Sequence, residues 1–330
     1  MHALKPMTEL QQEIFDMCLQ YLYDHENPQQ MIKNSSLFKE GYDAFGISDN
    51  EQRELRDMVL ERYNPNPQEI VDLGHIFFST HKYEFGLLAV QLIKKHRPRM
   101  DRYVYEGIYK WLEEGVENSA LADILSNKIT PVFLELGIAS LDDFETWRNA
   151  SSKWTRRTAA LTMLYLMDKA SPERLLEYIK PMLNDEDKDV QYGVGFFLRE
   201  LWGLHSEEVE AFLLKHKEAA APMVLHIASQ KMHIEKKKQL GRTNMPKTGK
   251  NVRNTQYKRK PQRQTQQPKQ KSTRHSSTRR TAQNWNKHTP TSQRRGFQKK
   301  NRTKPNVVEN ELPEIHADNI PDWDSFDDVY

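Results

Sequence analysis

The chain has 330 residues, 37% of them hydrophobic, a mean hydropathy of −0.84 and a formal net charge of +3. That is polar for one packed body, so part of the chain is expected to stay outside any core. The single cysteine, Cys18, excludes an intramolecular disulfide and a four-thiolate metal cluster, and no run of about 18 apolar residues exists to span a membrane.

The charge is unevenly spread. Residues 236–305 hold 23 Lys or Arg and no Asp or Glu, and residues 306–330 hold 8 acids and no Lys or Arg. Residues 1–235 therefore carry 26 cations against 38 acids, a net −12. Three regions follow: a domain over 1–237, a basic tail over 238–305 and an acidic segment over 306–330.

In chain order, Leu10, Ile14, Cys18 and Leu22 repeat at helical spacing and predict a helix over 7–24. Asn27–Pro28 breaks it, and a second helix is expected over 29–42. Ser48 with Glu51 three residues on is a capping box, opening a helix that runs to Tyr63 before Asn64–Pro65–Asn66–Pro67. Helices then come in pairs: 68–80 with 83–97, 100–115 with 119–136, 140–150 with 153–169, 171–184 with 187–203, and 206–217 with 219–236. The second members start 36, 34, 34 and 32 residues apart, with no strand signal between. A near-constant step of this size predicts an all-α, HEAT-like helical-repeat solenoid; the alternative is an irregular α-bundle.

After Leu240, Gly and Pro interrupt a stretch of Lys, Arg, Gln, Asn, Ser and Thr that has little to bury. It is expected to be disordered. Its cations match a phosphate backbone, and Tyr257, Trp285 and Phe297 are candidates for base stacking, so the tail is read as binding DNA or RNA. The last 25 residues interleave acids with Trp323, Phe326 and Tyr330, as a motif for a protein partner or a counter-charge to the tail does.

Three clusters inside the domain carry candidate chemistry. Lys153, Arg156 and Arg157 gather at a helix start, where cations oppose the dipole unless an anion also sits there. The cluster is therefore an anion site or a solvated first turn. On the helix over 187–203, Val190, Val194, Phe197, Leu198 and Leu201 form one stripe, while Tyr192, Phe196 and Arg199 share another face. That second face is a groove surface or packs against a neighbouring repeat, and spacing alone suits packing better. Asp123 and Asn127 share a face four residues apart, to act on a substrate or to be solvated.

The segments Phe45-Gly-Ile-Ser-Asp-Asn-Glu-Gln-Arg-Glu-Leu55, Trp147 to Leu161, and Gly195-Phe-Phe-Leu-Arg-Glu200 occur in an order that resembles the HEAT-like-repeat DNA alkylation repair family, the AlkD-type glycosylases. The resemblance covers about residues 10–235. It implies a cationic groove for duplex DNA, with aromatic faces and a carboxylate acting on positively charged alkylpurines, and an Arg on the backbone. An aromatic face attracts a cation, and a carboxylate stabilises the charge that develops as the glycosidic bond breaks. Carried over, Arg157 matches the backbone-binding Arg, Arg199 the Arg after Gly-x2-Leu, and Phe196 stands where active members have Trp. Anchoring on Pro131 puts the catalytic Asp position on Asn127 and the preceding Trp position on Asp123.

The catalytic candidates are therefore Asp123, Asn127 and Phe196, and the DNA-binding candidates Lys153, Trp154, Arg156, Arg157, Tyr192 and Arg199. Asn127 offers only a dipole, so the first reading is a protein that recognises damaged or structured duplex DNA with weak or absent base excision. The second is an active glycosylase for N3- or N7-alkylated purines with Asp123 as the carboxylate. The third, suggested by the acidic domain, is a scaffold with an RNA-binding tail. No cofactor, metal or membrane is expected, and the location expected is cytoplasmic and nucleoid-associated.

Overall fold

A computed structural model describes residues 7–35 and 42–241. The chain divides into two units, Met1–Val252 and Arg253–Tyr330, and the second lies wholly outside the described residues. The expected disorder of the basic tail beyond Gly241 and the acidic segment fall outside them too.

Within the first unit the described residues are helical and contain no strand. Three helices lead: α1 (Glu9–Asp24), α2 (Pro28–Ser35) and α3 (Asp49–Tyr63). Pairs follow. α4 (Pro67–Ser79) precedes α5 (Tyr83–Lys95). α6 (Arg102–Glu114) precedes α7 (Ser119–Ile124), which passes through a π turn at Leu125–Ile129 into α8 (Thr130–Glu135). α9 (Phe144–Arg148) precedes α10 (Lys153–Thr162), α11 (Pro172–Ile179) precedes α12 (Lys188–Trp202), and α13 (Ser206–His216) precedes α14 (Pro222–Ala228). α15 (Ile234–Gln239) comes last.

Local sequence explains the starts. Thr8 with Gln11, Ser48 with Glu51, and Asn66 with Glu69 form complete capping boxes, the last with Pro67 in the first turn. Asp101, Asn118, Ser152, Ser171 and Asp187 each accept a backbone N–H in the first turn of the helix that follows.

The second members start at 83, 119, 153, 188 and 222, steps of 36, 34, 35 and 34 residues. They stack in order, α5 on α7, α7 on α10, α10 on α12 and α12 on α14, while α4 packs on α6 and α11 on α13. Each repeat thus buries its apolar stripe against the next, the HEAT-like arrangement. Side chains link neighbouring helices: that of Gln52, early in α3, donates to the carbonyl of Glu84, early in α5, and Arg199, late in α12, reaches Gln230 just past α14. A Cβ on Gly195 would stand 2.7 Å from Ile227, so α12 and α14 approach closely only because that position has no side chain.

The Phe45–Leu55 segment serves this packing. Phe45 and Gly46 donate their N–H groups to the buried Glu84 carboxylate at 3.0 and 2.8 Å, pinning the segment to α5, and Leu55 is fully buried.

Six expected helices differ in detail, and two of them, over 153–169 and 171–184, pass into 3-10 turns at Met163–Leu166 and Lys180–Asn184. The helix expected over 29–42 is seen as Pro28–Ser35, with 36–41 outside the described residues. Only Phe144–Arg148 of 140–150 is α-helix. The span 219–236 splits into α14 and α15; at the break Ser229 Oγ donates to the His226 carbonyl, a local bond that competes with the helix. The span 119–136 contains the π turn. Thr130 N–H donates to Leu125 five residues back, and Pro131 has no N–H to continue an α ladder.

Candidate nucleic-acid interface

The π turn decides which residue of α7 faces the neighbouring repeat. A wide turn adds a residue to the helix surface between Pro131 and α7, so counting back from Pro131 at α-helical spacing loses register. Asp123 meets α10: both its carboxylate oxygens accept from Arg157, Oδ1 from Nε at 2.7 Å and Oδ2 from Nη2 at 2.8 Å. Asn127 lies within the π turn and is exposed. Asp123 is thus the carboxylate that faces Arg157, while Asn127, on which the Pro131 anchor puts the catalytic Asp position, is exposed.

Arg157 is held on every side. Its Nη1 donates to the Asp189 carbonyl at 2.7 Å, its guanidinium carbon lies 5.5 Å from the Tyr192 ring centroid, and its side chain is only 3% exposed. Burial alone would lower its pKa, but the Asp123 carboxylate, next to and hydrogen-bonded with it, holds the guanidinium above its ordinary value. A guanidinium this covered holds α7 to α12 and presents no free edge to a phosphate, which differs from the backbone-binding role that the resemblance implies for it.

The other cations of α10 are engaged in the same way. Arg156 makes a bidentate pair with Asp185 at 2.7 and 3.1 Å and donates to the carbonyls of Ala150 and Ser151. Lys153 pairs with Asp189 at 2.6 Å and lies over the Trp154 ring at 4.4 Å. Trp154 itself is 4% exposed, a core side chain and not the open contact expected of a DNA-binding residue. The anion at the start of α10 is internal as well: Glu113 of α6 accepts from Ser151 Oγ at 2.5 Å, Ser152 N–H at 3.2 Å and Thr155 Oγ1 at 2.6 Å.

On α12 the expected second face exists. Tyr192, Phe196 and Arg199 are half-buried, outside the stripe of Val190, Val194, Phe197, Leu198 and Leu201. Arg199 lies over the Phe196 ring at 4.4 Å and is held by Glu200 at 2.9 Å and Gln230 at 2.7 Å. Asp123, Arg157 and Tyr192 are thus in one connected group, as are Phe196 and Arg199 one turn further along α12.

Glu113, Asp185 and Asp189 are the residues that sequence reading missed. One signal was present: Asp185 and Asp189 follow Arg156 and Arg157 by roughly one repeat, where adjacent second members meet. Among the described residues no group of three or more His, Cys, Asp or Glu is arranged to hold a metal ion, and no helix is long and apolar enough to cross a membrane.

A stack of helix pairs that sets a paired carboxylate, arginines and aromatic rings along its second members defines an all-α helical-repeat protein. The sequence pattern of the DNA alkylation repair enzyme family matches residues 18–232, and the chain belongs to that family, with the DNA-repair-like role that membership carries. A solved structure described as a predicted DNA alkylation repair enzyme from Enterococcus faecalis shares the fold, with a TM-score of 0.55 and 18% identity over 64% of this chain and 98% of that one. No curated protein matches the chain.

Proposed function

We propose that the chain recognises damaged or structured duplex DNA through the α7–α10–α12 face, with base excision weak or absent. The observation that carries this reading is that both groups excision needs are already occupied by the protein's own guanidinium groups. Asp123 accepts from Arg157 through both oxygens, and Arg199 covers a face of Phe196. A carboxylate paired in this way presents a reduced field to a developing oxocarbenium ion, and a covered ring must exchange one cation for another before it holds an alkylpurine. Much of the non-specific affinity then comes from the basic residues 238–305, whose cations meet phosphates of DNA or RNA.

A second reading, active excision of alkylpurines, is favoured by one fact. The Asp123 side chain stays 25% exposed, and a carboxylate can accept more than two hydrogen bonds. Release of N7- and N3-methylpurines from methylated duplex separates the two. Losing one such electrostatic contact costs about 100- to 1,000-fold, so release is expected to be at least about 100-fold slower than by a family member with an unoccupied carboxylate and a Trp. Rapid release by the natural protein that is lost in Asp123→Asn would install the second reading.

A further inference from the structure

The densest basic run in the described helical pairs lies outside the α10–α12 face. Lys94-Lys95-His96-Arg97-Pro98-Arg99 sets four cations and a histidine in six residues, within a region that carries −12 overall. α5 ends at Lys95, and a 3-10 turn holds Arg97–Arg99. Two cations in the last turn of α5, Lys94 and Lys95, suffice to complement the helix dipole, which fades within that turn. Arg97 and Arg99 lie beyond the helix, where the dipole does not account for them. Pro98 stiffens the turn between them.

The surroundings differ from those of α10. Lys95, Arg97 and Arg99 are exposed. Arg97 reaches Glu135, an exposed pair of the kind worth little in water. Arg99 leans on the Nδ1 of the buried His96 at 3.5 Å. Arginine only donates, so Nδ1 accepts and the ring is neutral; burial first and then Arg99 hold its pKa below the ordinary value. Three exposed cations thus lie together where α5 ends.

We propose that this edge, Lys95, Arg97 and Arg99, is a phosphate-contact site that takes the backbone of duplex DNA without regard to base. The inference rests on the reading that the chain holds DNA and adds where the helical unit grips it. Cations held by half-buried carboxylates must lose a close partner to meet a phosphate, whereas Lys95 and Arg99 are exposed and Arg97 has only the exposed Glu135 to release.

The test uses the full chain and an unmodified short duplex, with affinity measured across a salt series. Lys95→Ser/Arg97→Ser/Arg99→Ser is compared with Lys169→Ser/Lys180→Ser/Lys215→Ser, which removes the same charge from exposed positions elsewhere. Each lost phosphate contact flattens the slope of log K against log salt by about 0.9, so the first variant is expected to flatten it by about 2–3 and the second to leave it unchanged. An unchanged slope in the first variant, equal flattening in both, or no duplex binding by the natural chain would overturn the proposal. Equal affinity of the natural chain for methylated and unmodified duplex, with the slope difference intact, would defeat the damage-recognition reading and leave this site standing.

Discussion

The start of α10 and the end of α5 are both basic runs of similar length, yet their side chains live in opposite circumstances. At α10, Arg156 and Arg157 hold bidentate carboxylates and Lys153 meets those of Asp189 and Asp187, while Glu113 fills the helix N-terminus. At α5, Lys95, Arg97 and Arg99 are exposed, and Arg97 meets the exposed Glu135. A cluster of cations is therefore an internal fastening or an outward surface according to what the next repeat places opposite it. Buried pairs resist the loss of either partner, and exposed ones contribute little.

The sharpest way to break this comparison is Arg157→Ala. It strips the partner from Asp123 and opens a gap between α7 and α12, so about 3–5 kcal/mol of stability is expected to disappear in urea or thermal unfolding. A loss no larger than that of a surface substitution would mean that the pair is not the fastening described. Glu113→Gln comes next. It keeps the shape but removes the charge at the α10 N-terminus, at an expected cost of about 1–2 kcal/mol in the same assay. Lys153→Ala removes its contacts with Asp189 and Asp187, all three side chains about one-third exposed, for an expected loss of about 0.2–1 kcal/mol. A larger loss would assign Lys153 a packing role over Trp154. The α5 edge is expected to be silent in this assay, with Lys95→Ala changing stability by less than about 0.5 kcal/mol. The edge variants thus affect binding, whereas the α10 variants affect folding first.

Much of the fold is local and so was legible in the residues. Thr8, Ser48 and Asn66 with their partners three residues on mark helix starts because capping is settled within one turn. The repeat step was legible because each helix pair needs a similar length of chain to present an apolar stripe to the next. The uneven charge of the three regions is a matter of composition alone.

What tertiary structure decided was who faces whom. Pro131 was visible as a helix breaker, but only the folded chain showed that the break is absorbed as a π turn, which puts Asp123 and not Asn127 against Arg157. Trp154 and Arg157 read as surface groups because cations and an indole at a helix start look solvated. Both are buried, and Arg157 is covered by Asp123 of α7 and by Asp189 and Tyr192 of α12, residues more than 30 positions away that no local pattern pairs with it. A helix's own sequence sets its periodicity and its ends. The exposure of its charges depends on the carboxylates that neighbouring repeats bring, and that pairing exists only once the stack has formed.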